Sequence, residues 1–179
     1  MSRPKHLYPN RDRRYPNPEP EPGELSQLGL APSFEAKLAR LAPSRATVLL
    51  LGGTPVLKRA VARALHQRSA RASQPFVAFD CRELGFDEID DRLFGGPAYT
   101  SATGGAIERT EAGTLYIAAI DELPLLTQPR FLRFLDQERK ARVVAATVGD
   151  LLTRVEHGLF RLDLAERLTL VELLLPGGG

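Results

Sequence analysis

Hydrophobic positions fall into two regimes along the 179-residue chain. Over residues 25–41, Leu28, Leu30, Phe34, Leu38 and Leu41 recur at helical spacing, and Ser33 is placed to cap that helix. From Thr47 onward, short unbroken apolar runs alternate with amphipathic stretches. The run Val48-Leu49-Leu50-Leu51 suits a strand buried on both faces. A helix over 56–68 follows, with Leu57, Val61, Ala64 and Leu65 along one side. The same patterns predict strands over 76–79, 115–120, 143–147 and 168–175, and helices over 87–94, 125–136, 149–156 and 161–167. Repeated strand–helix alternation implies an α/β fold, with a five-stranded parallel sheet and helices on both faces.

Four segments follow. Residues 1–23 read as a disordered proline-rich arm, because Pro4, Pro9, Pro16, Pro18, Pro20 and Pro22 break any helix. Residues 24–44 hold the first helix and a linker, 45–176 the α/β core, and 177–179 a glycine tail.

Composition narrows the function classes. With 43% hydrophobic and 26% charged residues and a net charge of +2, the chain is an ordinary globular protein without a nucleic-acid-binding charge. The arm starts basic (Arg3, Lys5, Arg11, Arg13, Arg14) and ends acidic (Glu19, Glu21), which reads as a solvated tail. Direct DNA contact is therefore not expected. Cys81 stands alone, so no internal disulfide can form, and burial as a small hydrophobe is its default. His6, His66 and His157 lack metal-ligand spacing, and no metal site is expected. No apolar run spans a membrane and the N-terminus lacks the apolar core of a secretory signal, so the chain reads as soluble and cytoplasmic.

The segment from Leu49 to Arg59 has the layout of a phosphate-binding loop: strand, glycine turn, lysine, helix. Such a loop, G-x-x-x-x-G-K-[S/T], converges backbone N–H groups on phosphates while its lysine neutralises them. Gly52, Gly53 and Lys58 are the candidate nucleotide-binding residues. Leu57, however, replaces the second glycine and would crowd an approaching phosphate, and Pro55 removes a donor. Lys58 equally fits a solvated helix lysine.

The ordered set Val48-Leu-Leu-Leu-Gly-Gly, Lys58, Gln74-Pro75-Phe76-Val77, Leu93-Phe94-Gly95, Ala112-Gly-Thr-Leu-Tyr-Ile117, Arg130-Phe-Leu-Arg-Phe-Leu135, Arg142-Val-Val-Ala-Ala-Thr147 and Phe160-Arg-Leu-Asp-Leu164 resembles the AAA+ domain of bacterial enhancer-binding proteins, the sigma-54-dependent transcription activators. It covers about residues 45–176. The resemblance implies an αβα sandwich of the P-loop NTPase type. It also implies that the family's helical lid, which would follow Pro176, and its DNA-binding helix-turn-helix are missing.

Several family elements are altered. The acidic pair that ends the third strand, where the aspartate holds Mg²⁺ and the glutamate orients water, falls on Ala118-Ala119. Asp121-Glu122 is either a helix-start or solvent pair or a displaced acidic site, three residues and about 10 Å along. The sigma-contacting loop corresponds to 97–102, with Tyr99 and Thr100 retained in kind. The hairpin before the fourth strand shrinks to 136–141, and the polar sensor after it becomes Val148. Arg161 and Arg167 match arginine-finger positions, or are surface arginines paired with Asp163 and Glu166.

These departures suggest a non-hydrolysing relative that is not an enzyme. It would act by protein–protein contact in transcriptional regulation, on an AAA+ relative, another copy of itself or a sigma factor. No cofactor is expected, although Lys58 keeps Mg-ATP binding open. The alternatives are an ATPase with a displaced acidic site and a nucleic-acid binder using the basic arm.

Overall fold

The computed structural model describes residues 31–83, 85–96, 104–137 and 141–176. The expected arm, Tyr99 and Thr100, and the glycine tail lie outside the described residues.

In chain order the elements are α1 (Pro32–Leu41), β1 (Val48–Leu51), α2 (Pro55–Gln67), β2 (Phe76–Asp80), α3 (Phe86–Phe94), α4 (Ala106–Thr110), β3 (Thr114–Ala118), a 3-10 turn (Ile120–Glu122), α5 (Gln128–Asp136), β4 (Arg142–Ala146), α6 (Leu151–Glu156), α7 (Leu162–Leu168) and β5 (Glu172–Leu174). The strands form one parallel sheet in the order β2-β3-β4-β1-β5. β1 therefore lies between β4 and β5, with Leu49 opposite both Ala145 and Glu172.

Period-two alternation gives each interior strand two apolar faces. Val48, Leu50, Tyr116, Val144 and Ala146 point to one side, where Phe34 and Leu38 of α1 and Leu57, Val61 and Leu65 of α2 cover them. Leu49, Leu115, Ile117, Val143 and Ala145 point to the other, under Ile89 and Leu93 of α3, Phe131 and Leu135 of α5, and Leu164 and Leu168 of α7. The expected three-layer αβα arrangement is present.

Element ends differ from the sequence pattern for local reasons. Ala31, not Ser33, is the N-cap of α1, because Pro32 occupies the first helical turn and favours an extended residue before it. The fifth strand has three residues rather than eight. Leu168 belongs to the buried face of α7, so the apolar run from 168 to 175 straddles a helix end and a strand. α5 begins at Gln128 rather than 125, with Pro129 in its first turn. The five-residue helix α4 is too short for its periodicity to register.

One polar contact ties α1 to the sheet. The wholly buried Arg142, first residue of β4, donates from Nη1 to the Ala42 carbonyl and from Nη2 to the Leu41 carbonyl, both at 2.8 Å. These carbonyls end α1 and have no partner within the helix, so a cation there also meets the negative end of its dipole. Burial, then the nearby Arg71, lowers the Arg142 pKa to about 10, which leaves it charged at neutral pH.

Candidate functional site

Parallel strands end on one edge of the sheet, and the loops leaving that edge hold the candidate residues. After β1, Gly52 and Gly53 have φ of 66° and 64°, a left-handed conformation that favours glycine. A Cβ on Gly53 would stand 3.0 Å from Leu175 Cβ and 3.1 Å from Leu57 Cδ2. Leu57 is thus drawn beneath the loop, into the apolar cluster with Leu173 and Leu175. Thr54 caps α2, its Oγ1 accepting from the Leu57 N–H at 3.2 Å, and Pro55 supplies no N–H. In α2's first turn, the cap holds the Leu57 donor and the Thr54 carbonyl holds that of Lys58 at 2.9 Å.

Lys58 is not a solvated helix lysine. Its side chain is buried, and Nζ donates to the Thr147 carbonyl oxygen, just past β4, at 2.6 Å. Burial pushes its pKa down; the charge of Asp121 opposes that shift and Arg82 adds to it.

β3 stops at Ala118, and Ala119 takes a left-handed conformation (φ 51°, ψ 47°) that turns the chain into the 3-10 turn. Two methyl groups stand where the sequence comparison places the acidic pair. Asp121 and Glu122 lie beyond the strand and part company. Asp121 is 3% exposed, and its two oxygens accept from the N–H groups of Val148 and Gly149, each at 2.9 Å. Glu122 faces outward and pairs with Arg154 of α6. The solvent-pair reading therefore describes Glu122 and not Asp121. The Val148 side chain is 60% exposed, and its backbone N–H is committed to Asp121.

On the neighbouring strand, Arg82 folds back on Asp80 with bonds of 3.1 and 2.8 Å. Burial pushes the Asp80 carboxyl up, but the Arg82 bonds and the charges of Arg82 and Arg59 outweigh it, for a net lowering. Cys81 is buried, which drives its thiol pKa upward and keeps the group neutral.

The two finger candidates sit at opposite ends of α7. Arg161 makes a double contact with Asp163, at 3.0 and 2.7 Å, on the surface. Arg167 reaches Asp136 Oδ1 at 3.0 Å and the Leu135 carbonyl at 3.1 Å, not Glu166. Its contacts close the end of α5. At the opposite end of α5, Gln128 donates to the Leu123 and Leu159 carbonyls and accepts from the Arg161 N–H. Among the described residues no group of three or more His, Cys, Asp or Glu side chains is arranged to hold a metal ion.

The structure thus brings Gly52, Gly53, Lys58, Ala118, Ala119 and Asp121 to one edge. Sequence reasoning missed the peptide groups of Thr147, Val148 and Gly149, which contact Lys58 and Asp121. Side-chain patterns carry no signal for backbone partners.

Sheet order and glycine loop define a P-loop NTPase fold. A P-loop NTPase domain of a sigma-54 activator from E. coli aligns over 87% of this chain and 98% of its own, with TM-score 0.60 and 20% identity, which supports the fold alone. NtrX from Brucella abortus, solved in complex with ATP, aligns over 84% of this chain and 40% of its own, with TM-score 0.73 and 26% identity. The regulatory protein AtoC of Escherichia coli K12 is 38% identical over 156 residues, 77% of this chain and 34% of AtoC. The Sigma-54 interaction domain family matches residues 30–174, and the chain belongs to that family. It is an AAA+ domain of the kind found in sigma-54-dependent transcriptional regulators, and it spans about a third of AtoC's length. No helix among the described residues is long and apolar enough to cross a membrane.

Proposed function

We propose that this chain is a non-hydrolysing member of the family that modulates transcription in the cytoplasm through protein contacts. The observation that carries this reading is the end of β3, where Ala118 and Ala119 offer methyl groups in place of carboxylates. Mg²⁺ requires oxygen ligands, and an attacking water needs an acceptor; alanine supplies neither. The surrounding groups point the same way. Lys58 is turned onto a backbone carbonyl, and Asp121, the inward carboxylate nearby, already accepts two N–H bonds. The residues present do not fit Mg-nucleotide.

Association surfaces fare better, which favours contact as the mode of action. α7 presents Arg161 on the surface beside Leu159 and Leu162, which are 52% and 53% exposed. Its partner would be an AAA+ relative, a second copy or a sigma factor. One observation favours a displaced acidic site instead: Asp121 is buried and its charge is felt at Lys58. Against it, both Asp121 oxygens are engaged.

The test is an Mg-ATP hydrolysis assay together with calorimetric titration of ATP and ADP, using Lys58→Ala as control. The expected result is no turnover in the wild type and no heat that depends on Lys58. Turnover abolished by Asp121→Ala would instead establish the displaced site. Co-purification with a full-length activator, lost when Arg161→Ala and Arg167→Ala are combined, tests the contact surface.

A further inference from the structure

The end of the sheet away from the glycine loop carries a second cluster of charges. Phe76, Thr114 and Arg142, the first residues of β2, β3 and β4, stand in register there, about 15 Å from the opposite strand ends. Basic side chains gather at this edge from several elements. Arg63 of α2 lies over the Phe76 ring at 4.5 Å, His66 of the same helix meets Thr114, and Arg142 reaches the last carbonyls of α1. Arg45, just past α1, is exposed, and the chain after α2 adds exposed Arg68 and half-buried Arg71. After burial, which comes first for each group, Arg45 lowers the pKa of Arg71, and Arg71 lowers that of Arg142. These guanidiniums are thus close enough to repel one another. The patch also takes a carboxylate, because Glu35 in the first turn of α1 pairs with Arg68 at 2.7 Å.

A patch of like charge favours a partner of the opposite sign. The contact between Glu35 and Arg68 places the start of α1 beside this patch, and residues 1–30, outside the described residues, lead into α1 at that point. Their sequence carries Glu19, Glu21 and Glu24 in the run Pro18-Glu-Pro-Glu-Pro-Gly-Glu24, with every Arg and Lys confined to positions 3–14. We propose that the acidic segment Glu19–Glu24 docks on Arg45, Arg68 and Arg71 and covers the edge of the sheet opposite the glycine loop. Reach permits it. Glu24 stands eight positions before Pro32 and Glu19 thirteen, spans of at most about 29 and 47 Å. Each exposed pair is weak alone, but a segment on so short a tether is present at an effective concentration of about millimolar. The alternating prolines restrict the backbone in advance, so docking costs less entropy. The basic positions 3–14 are repelled from the patch, which leaves the acidic stretch as the part that is held. A second copy or a nucleic acid would also bring negative charge, but neither is tied to the patch by eight residues.

The test places a nitroxide on the full chain at Pro22→Cys and reads paramagnetic relaxation of the backbone amides by nitrogen-15 NMR. Cys81 is buried and neutral, so a thiol reagent selects position 22. At low salt, relaxation at residues 44–46 and 68–73 should exceed that of the labelled variant Glu19→Gln/Glu21→Gln/Glu24→Gln by about threefold or more, and the excess should vanish near 0.5 M salt, where the screening length is about 4 Å. Arg45→Gln/Arg71→Gln should remove the excess equally; if that variant fails to fold, the glutamine variant decides. Relaxation that is absent at low salt, spread evenly over the surface, or unchanged in the glutamine variant would overturn the proposal. So would the same excess on isotope-labelled chains without nitroxide in an equal mixture, because a second copy would then be the occupant.

Discussion

Arg142→Met asks whether a buried guanidinium holds the first helix to the sheet. Methionine keeps an unbranched apolar stem and removes both donors, leaving the Ala42 carbonyl without the Arg142 bond and the Leu41 carbonyl with the Ser44 N–H at 3.1 Å. Two hydrogen bonds from a charged donor contribute about 1.5–3 kcal/mol each. Against them stands the cost of charging Arg142 inside the fold. Burial beside Arg71 lowers its pKa from 12.5 to about 10, and that depression corresponds to about 3 kcal/mol. Among the described residues no carboxylate pairs with Arg142 to offset it. The difference predicts a net loss of about 0–3 kcal/mol for Arg142→Met, centred near 1.5. Arg142→Ala should lose about 2 kcal/mol more, because the buried stem goes too. Urea unfolding followed by circular dichroism should show a lower midpoint at constant slope. Amide exchange should accelerate in α1 first, since that helix otherwise depends on Phe34, Leu38 and the exposed Glu35–Arg68 pair. A methionine variant as stable as the wild type, with α1 exchange unchanged, would refute the reasoning and show that apolar burial alone seats the helix.

Two further outcomes are expected. Gly53→Ala forces alanine to φ +64° and sets its Cβ 3.0 Å from Leu175 Cβ; a loss of about 2–3 kcal/mol in thermal or urea unfolding checks this. His66 is buried, with Nδ1 on Thr114 Oγ1 at 3.0 Å, and its pKa is lowered from 6.5 by burial first and by Arg63 and Arg142 next, against opposing bonds from the Ala72 and Gln74 backbone. The unfolded chain therefore binds the proton more tightly, so stability present above pH 6.5 is lost as the pH falls from there through the folded-state value. His66→Gln should flatten that dependence in a pH series of urea midpoints.

The architecture was legible because the strands are buried on both faces. Val48-Leu49-Leu50-Leu51 and Val143-Val144-Ala145-Ala146 can satisfy two apolar layers only as interior parallel strands, and the sheet places them side by side. Element ends were less legible where a residue serves two neighbours. Leu168 looks like the start of a strand, yet its side chain completes the buried face of α7, and three residues separate it from β5. Proline also moves ends by fixing φ, as Pro32 does when it shifts the cap of α1 from Ser33 to Ala31.

At the site, the sequence supports expectations about residue types but not about contacts. The sequence resemblance places the acidic pair on Ala118-Ala119 from the spacing to Gly113 before them and Pro124 after them, with Asp121-Glu122 as the alternative. What Asp121 does instead is hidden, since its partners are the N–H groups of Val148 and Gly149, which any residue but proline could supply there. Side-chain identity ranks Val148 as a lost sensor, while the fold uses its backbone as a donor. The left-handed turn at Ala119 connects these facts: it ends β3 two residues before Asp121 and redirects the chain so that this carboxylate, and not Glu122, faces the loop after β4. The inward carboxylate thus stands three residues past the end of β3, joined to Lys58 through one backbone peptide.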